Sequence, residues 1–212
     1  ARGLSFMNSM ILKHRLYDKH ANVRIMIPRS VVIATDYFDD FIRLNGLKYI
    51  ISQEFSDEEI LSEFVSSTVP AKLQQELKAY IQTVRTPLAV RSSSKLEDSH
   101  YQPFAGIYST YMIPYVDNGD QMLRLLLKAV KSVYASVYFA TSRAYLSSSQ
   151  NLISEEKMAV IIQEVCGTEQ DGLFFPTFSG VARSINYYPI GDEAPADGVC
   201  NIAMGLGKLV VD

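Results

Sequence analysis

The sequence predicts an α+β fold, with helices early and a mostly antiparallel sheet late. Apolar residues at helical spacing, with start and stop signals, recur through the first half of the chain. After the polar break Ser147-Ser148-Ser149 the character changes to β-rich runs separated by Gly, Pro, Asp and Thr. The 212 residues are 48% hydrophobic and 20% charged with a net charge of −3, ordinary usage for a chain that buries a sizeable core.

The elements follow in order. Leu4, Met7 and Ile11 share a helical face, with Phe6 and Met10 on its flank, so residues 3–15 read as an amphipathic helix with a core-facing side. Ser30–Ala34 reads as a strand, and Thr35 or Asp36 can cap the next helix, which Asn45-Gly46 would stop. Ser56-Asp57-Glu58-Glu59 is a capping box ahead of Ile60, Leu61 and Phe64. Pro70 opens another helix, with Leu73, Leu77 and Tyr80 along one face. Asn118-Gly119 marks a turn, and Gln121–Leu146 reads as one long helix whose Tyr134, Tyr138 and Tyr145 are packing residues. Strands are expected at Met158–Val165, Gly180–Tyr187 and Val199–Ala203, with exposed loops at 166–178 and 188–198. The whole reads as one unit of two lobes, roughly 1–112 and 113–212.

Mild acidity gives no electrostatic footprint for nucleic acid or a membrane surface. No apolar run reaches the roughly 18–20 residues of a membrane span. Cys166 and Cys200 have no C-x-x-C spacing and no further thiol partners for zinc, and read as two buried thiols in a reducing cytoplasm. His14, His20 and His100 are far apart in sequence and read as surface residues. The chain begins with Ala and stops after the apolar run Leu209-Val210-Val211, which is expected of a piece of a longer polypeptide.

Residues 87–111 carry the most chemistry. Leu88-Ala89-Val90 delivers Arg91 into Ser92-Ser93-Ser94; Glu97-Asp98 and Phe104-Ala105-Gly106 follow, then a second strand with Thr110 near its start. Arginine offers an always-charged planar fork of donors matched to phosphate oxygens. Glycine allows close approach of the backbone to a ligand. Two readings are open on these residues alone: a phosphate-binding hairpin, or an arginine paired with Glu97 or Asp98 above an ordinary polar loop. Gln163 shares a strand face with Ala159, Ile161 and Val165, where a buried amide needs a partner.

The run V-R-S-S-S-x-x-E-D at 90–98, then F-A-G and a Thr four residues after the Gly, resembles the nucleotide-binding domain of phosphoenolpyruvate synthase and pyruvate phosphate dikinase. The opening A-R-G-L-S-F-M-N-S-M resembles the family's G-G-K-x-x-x-L helix, and I-P-R-S-V-V-I-A-T-D-Y-F resembles its V-P-x-G-F-V-V-T-x-x-A-F segment. V-I-I-Q-E-V, S-G-V-A-R-S and A-M-G-L-G-K-L-V-V-D resemble V-x-V-Q-x-M-V, S-G-V-M-F-T and Y-G-L-G-E-x-V-V-x-G, in the family's order.

The resemblance implies an ATP-grasp-like, two-lobed nucleotide-binding fold, here truncated. It implies that Arg91, Gly106 and Thr110 cradle the ATP phosphates, that Arg91 also serves catalysis, and that Gln163 sits by adenine in a groove between the lobes. It implies ATP and Mg2+ as cofactors. The partners implied are the phosphohistidine and pyruvate-binding domains of the same parent chain. ATP would phosphorylate a histidine on a swivelling domain, leading to phosphoenolpyruvate from pyruvate. The family's phosphate-binding lysine aligns just before Ala1 and its magnesium-holding acids beyond Asp212, so these residues alone are expected to lack phosphotransferase activity. Two departures stand out: Lys208 where the family has Glu, and Ile107-Tyr108-Ser109 where it has more polar residues. They keep open a degenerate nucleotide-sensing module, and another acceptor, as in rifampicin phosphotransferase or glucan dikinases, is equally open.

Overall fold

The computed structural model describes residues 2–19, 21–51, 53–94, 108–148 and 156–206. It is an α+β fold in which two compact units divide the chain, Ala1–Val165 and Cys166–Asp212. The division therefore falls near 165 rather than at the expected 112/113. The reason is β4, Met158–Glu164, which inserts between β1, Ser30–Ile33, and β2, Leu88–Ser94. That pairing binds the later strand into the sheet of the earlier ones.

The first unit is built on a four-stranded sheet of order β1-β4-β2-β3, every pair antiparallel, with β3 at Thr110–Ile113. Strand side chains alternate between faces, and here the alternation separates core from surface. Ile33, Leu88, Val90, Ile113, Met158, Val160 and Ile162 lie on one face and are buried. Helices α2, Thr35–Leu44, and α5, Gly119–Ser136, pack against strands of this sheet. Helices α3, Asp57–Ser66, and α4, Ala71–Ile81, pack in turn on α5. Phe38 and Tyr134 meet edge to face at 5.0 Å within that layer, a favoured geometry for two quadrupolar rings.

Several terminal signals act as read. Ser56 Oγ accepts from the Glu59 backbone N–H at 3.2 Å while Glu59 accepts from the Ser56 N–H at 2.8 Å. Asn45 ends α2, and Gly46 takes φ +64°, a left-handed conformation that glycine adopts without steric cost. The N-cap of α2, however, is Ala34, with Thr35 and Asp36 already inside the first turn.

The expected helix over 121–146 is broken. Helix α5 ends at Ser136 and α6 spans Ala140–Ser148. The Asp57 carboxylate accepts the Ala140 N–H at 2.7 Å, and Ser142 Oγ donates to the Ser136 carbonyl at 2.7 Å. Val137 and Tyr138 remain buried through the break, so the apolar pattern continues where the helix does not. Tyr134 and Tyr138 are core residues as expected.

Helix α1, Arg2–Lys13, forms, but its apolar residues are not core: Phe6, Met7 and Leu12 are exposed. Its main packing is against the short 3-10 turn at Leu16–Asp18. The thiols of Cys166 and Cys200 are likewise exposed rather than buried.

The second unit holds two hairpins. The expected loop at 166–178 contains β5, Thr168–Gln170, and β6, Leu173–Phe175, joined by Asp171 at φ 52° and Gly172 at φ 76°. An Asp-Gly pair with both φ positive is the two-residue turn that matches strand twist. β7, Phe178–Arg183, pairs with β8, Val199–Met204, and is shorter at its end than the expected strand to Tyr187. Among the described residues no helix is long and apolar enough to cross a membrane.

Candidate functional site

Arg91 is the fourth residue of the seven-residue strand β2, so it stands in mid-strand. The three serines beyond it are strand residues too, because β4 pairs with β2 as far as Ser94 opposite Met158. Alternation then sorts them. Ser93 shares the Arg91 face, while Ser92 and Ser94 point to the core side, Ser94 being buried.

Thr110 is the residue directly opposite Arg91 across the β2–β3 pair. On the other side of Arg91 stands Ile161, and beyond it Val32. Two residues along the strands lies the next row, Met112, Ala89, Gln163 and Ser30. Arg91, Thr110 and Gln163 therefore occupy the same face of one sheet, the one opposite the core. Arg91 and Thr110 are exposed; Gln163 is half-buried, so it is not the buried amide expected. Among the described residues Arg91 forms no ion pair.

The neighbouring core-side position fixes the end of β4. The Glu164 carboxylate pairs with Arg29 at 2.8 Å, and the Glu164 N–H donates to the Arg29 carbonyl at 2.9 Å. Across the other edge the Val165 N–H donates to the Pro87 carbonyl at 2.9 Å. Burial, and then the Glu164 charge, push the hydroxyl of nearby Tyr80 up to about 12. Gln163 is thus carried by a strand end held from both sides.

Gly106, Ile107 and Lys208 lie outside the described residues. Of the departures read in the sequence, Tyr108 turns into the core, and the Ser109 N–H donates to Ser136 Oγ at 3.4 Å. The Tyr108 side chain thus belongs to the core, and the Ser109 backbone is tied to α5. Among the described residues no three His, Cys, Asp or Glu side chains gather as a metal site. The described residues by themselves do not make a magnesium site.

Ala89, Met112 and Val32 share this face and were missed in the sequence, whereas Ile161 is the face neighbour read there for Gln163. Strand alternation from Arg91 and Thr110 reaches Ala89 and Met112. Only the β1–β4 register brings in Val32.

An exposed cation and an exposed hydroxyl side by side on one sheet face are suited to an anionic ligand, and comparison with known proteins gives the same class. The chain belongs to the pyruvate phosphate dikinase AMP/ATP-binding domain family, whose pattern matches residues 8–212. It is therefore an ATP/AMP-binding domain of a phosphotransferase family.

It is 26% identical over 212 aligned residues to the probable phosphoenolpyruvate synthase of Staphylothermus marinus, covering 88% of this chain and 23% of that protein. It is 24% identical over 172 residues to the phosphoenolpyruvate synthase of Aeropyrum pernix, covering 71% of this chain and 20% of that protein. It is 29% identical over 152 residues to the uncharacterized phosphotransferase YvkC of Bacillus subtilis, covering 70% of this chain and 17% of that protein. The chain thus spans between 17% and 23% of the length of these relatives.

Proposed function

We propose that ATP lies on the face of the four-stranded sheet opposite its core, with its phosphates over Arg91 and Thr110 and its base toward Gln163. The observation that carries this is the Arg91–Thr110 cross-strand pair on the same face as Gln163. Strand residues two apart are separated by about 6.6–6.8 Å, so the base and phosphate contacts fall on successive rows. In this reading Arg91 holds the polyphosphate and balances charge that develops on the transferring phosphoryl group. The Thr110 hydroxyl donates to a phosphate oxygen, and the Gln163 amide, both donor and acceptor, meets the edge of the base. Gly106 would complete the phosphate cradle with its backbone.

The parent protein, in this reading, uses ATP in the cytoplasm to phosphorylate a histidine on a mobile domain, from which the phosphoryl group passes to pyruvate. The relatives named phosphoenolpyruvate synthase support that assignment. Magnesium, held outside the described residues, would supply charge neutralisation to the phosphates when bound.

Calorimetric titration of the complete protein with ATP, beside Arg91→Ala, tests the reading. A charge-assisted contact is worth about 1.5–3 kcal/mol, so the variant should bind at least about tenfold more weakly and transfer phosphate correspondingly slowly. Unchanged affinity and unchanged turnover would remove Arg91 from the site.

A further inference from the structure

Met112 is exposed at 57%, a large apolar side chain on the face that carries Arg91 and Thr110. Its strand has only four residues, and Ile113 points to the core, so Met112 faces outward by alternation rather than by fraying. It is not alone. Val32 is exposed at 45% on the same face, where half-buried Ala89 and Ala159 and buried Ile161 stand among Arg91, Thr110, Ser93, Gln163 and Ser30. Apolar side chains with polar groups placed among them are suited to holding a small molecule.

The register gives that surface a direction. Met112, Ala89 and Gln163 form one row across β3, β2 and β4. Neighbouring strands lie about 4.8 Å apart, which puts the backbones under Met112 and Gln163 about 9.6 Å apart. The β2 residue between them is Ala89, whose side chain is a single methyl group. Alanine is a poor strand former, and here it leaves a shallow gap with a thioether at one end and an amide at the other. A flat bicyclic ring can lie across that gap. Its face would meet the polarizable sulfur and methylene groups of Met112, and its edge the Gln163 amide. The row beyond, Arg91 and Thr110, carries the charge and hydroxyl for phosphate.

We propose that Met112 and Ala89 form the seat of the purine base: Met112 as the apolar wall, Ala89 as the floor whose small size admits the ring. This deepens, and rests on, the reading that ATP lies on this face. Both residues are then specificity determinants for the base, with no part in holding the phosphates.

The test uses the complete protein and two probes, ATP and inorganic tripolyphosphate, each measured by competition against a fluorescent ATP analogue. Thermal unfolding of every variant serves as a fold control. Met112→Ala should weaken ATP by about three- to tenfold, the range of a lost sulfur–aromatic contact, and leave tripolyphosphate unchanged. Met112→Leu should recover most of the ATP affinity. Ala89→Leu should weaken ATP more than Met112→Ala does, again sparing tripolyphosphate. Arg91→Ala should weaken both probes. If Met112→Ala and Ala89→Leu leave ATP binding intact while Arg91→Ala weakens it, the base seat is wrong and the phosphate site stands. If Arg91→Ala also leaves ATP binding intact, the placement of the nucleotide on this face is wrong.

Discussion

Arg91 and Thr110 face each other across the β2–β3 pair, the arginine in mid-strand and the threonine at the first residue of its own. Directly opposed residues of an antiparallel pair have Cβ atoms about 4.5–5.5 Å apart, close enough for a guanidinium and a hydroxyl to touch one phosphate group. Groups that share a ligand atom are coupled. A cycle of Arg91→Ala, Thr110→Val and the double variant, read by ATP affinity, should show an interaction of at least about 0.5 kcal/mol. Strict additivity would mean the two side chains do not serve the same phosphate. Arg91→Lys should not restore the arginine's affinity in full, since an ammonium has no planar fork.

Asp57 stabilises the helix that follows the break at 137–139. Its carboxylate takes the Ala140 N–H at 2.7 Å from across the fold, and it also lies in the first turn of α3, where negative charge is favourable. Asp57→Ala should lower stability by about 0.5–2 kcal/mol, the usual loss for a removed cap. Asp57→Asn keeps an acceptor and should lose less. Urea unfolding at neutral pH measures both, and equal stability of Asp57→Ala and the parent would refute the capping role.

Glu59 gives a pH dependence with a definite sign. Accepting the Ser56 backbone N–H, and then the Ser56 hydroxyl, holds its carboxyl below the ordinary 4.5. A depressed folded-state value means the ionised form is the one the fold prefers. The contribution is therefore fully present above 4.5 and is lost as pH falls through the folded-state value. The stability gap between the parent and Glu59→Ala should be constant from neutral pH down to about 4.5 and shrink below it. A gap independent of pH down to the acid transition would contradict the capping box as an ionic device.

Tyr134 separates ring from hydroxyl. Its ring lies between Phe38 and Phe41, and its hydroxyl is buried without a hydrogen-bond partner among the described residues. Burial raises its ionisation above the ordinary tyrosine value, with Asp36 adding to the shift. Because an unsatisfied buried hydroxyl costs about 1–3 kcal/mol, Tyr134→Phe should keep or raise the unfolding midpoint. Tyr134→Ala should cost about 3–5 kcal/mol, as for other aromatic truncations in a core. A marked loss in Tyr134→Phe would reveal a partner for the hydroxyl.

The local signals that the sequence displays were mostly those that act within one turn of chain. The capping box at 56–59 and the stop at Asn45-Gly46 depend on atoms three or four residues apart, so they are legible without a fold. The strand around Gln163 and its alternation with Ile161 were legible for the same reason. The Asp171-Gly172 turn carries its own local signal, although the Gly, Pro, Asp and Thr content of 166–178 predicts a loop. The break between α5 and α6 was not legible, because one of its stabilising contacts comes from Asp57, far away in the chain. The exposure of Phe6 and Met7 was not legible either: periodicity marks an apolar side, while only a packed neighbour makes it core.

The same division runs through the site. The amino-acid sequence alone determined which groups are available, a fixed cation, a hydroxyl and an amide, each on a strand with a known parity. It could not say that β4 would slot between β1 and β2, since strand order depends on pairings between segments more than a hundred residues apart in the chain, β1 with β4. The β2–β3 and β2–β4 registers put Arg91, Thr110 and Gln163 on one face, while alternation along β2 turns Ser92 and Ser94 away from it. The physical reason is that parity along a strand is set by local covalent geometry, whereas which face becomes the core is set by where the helices bury apolar area.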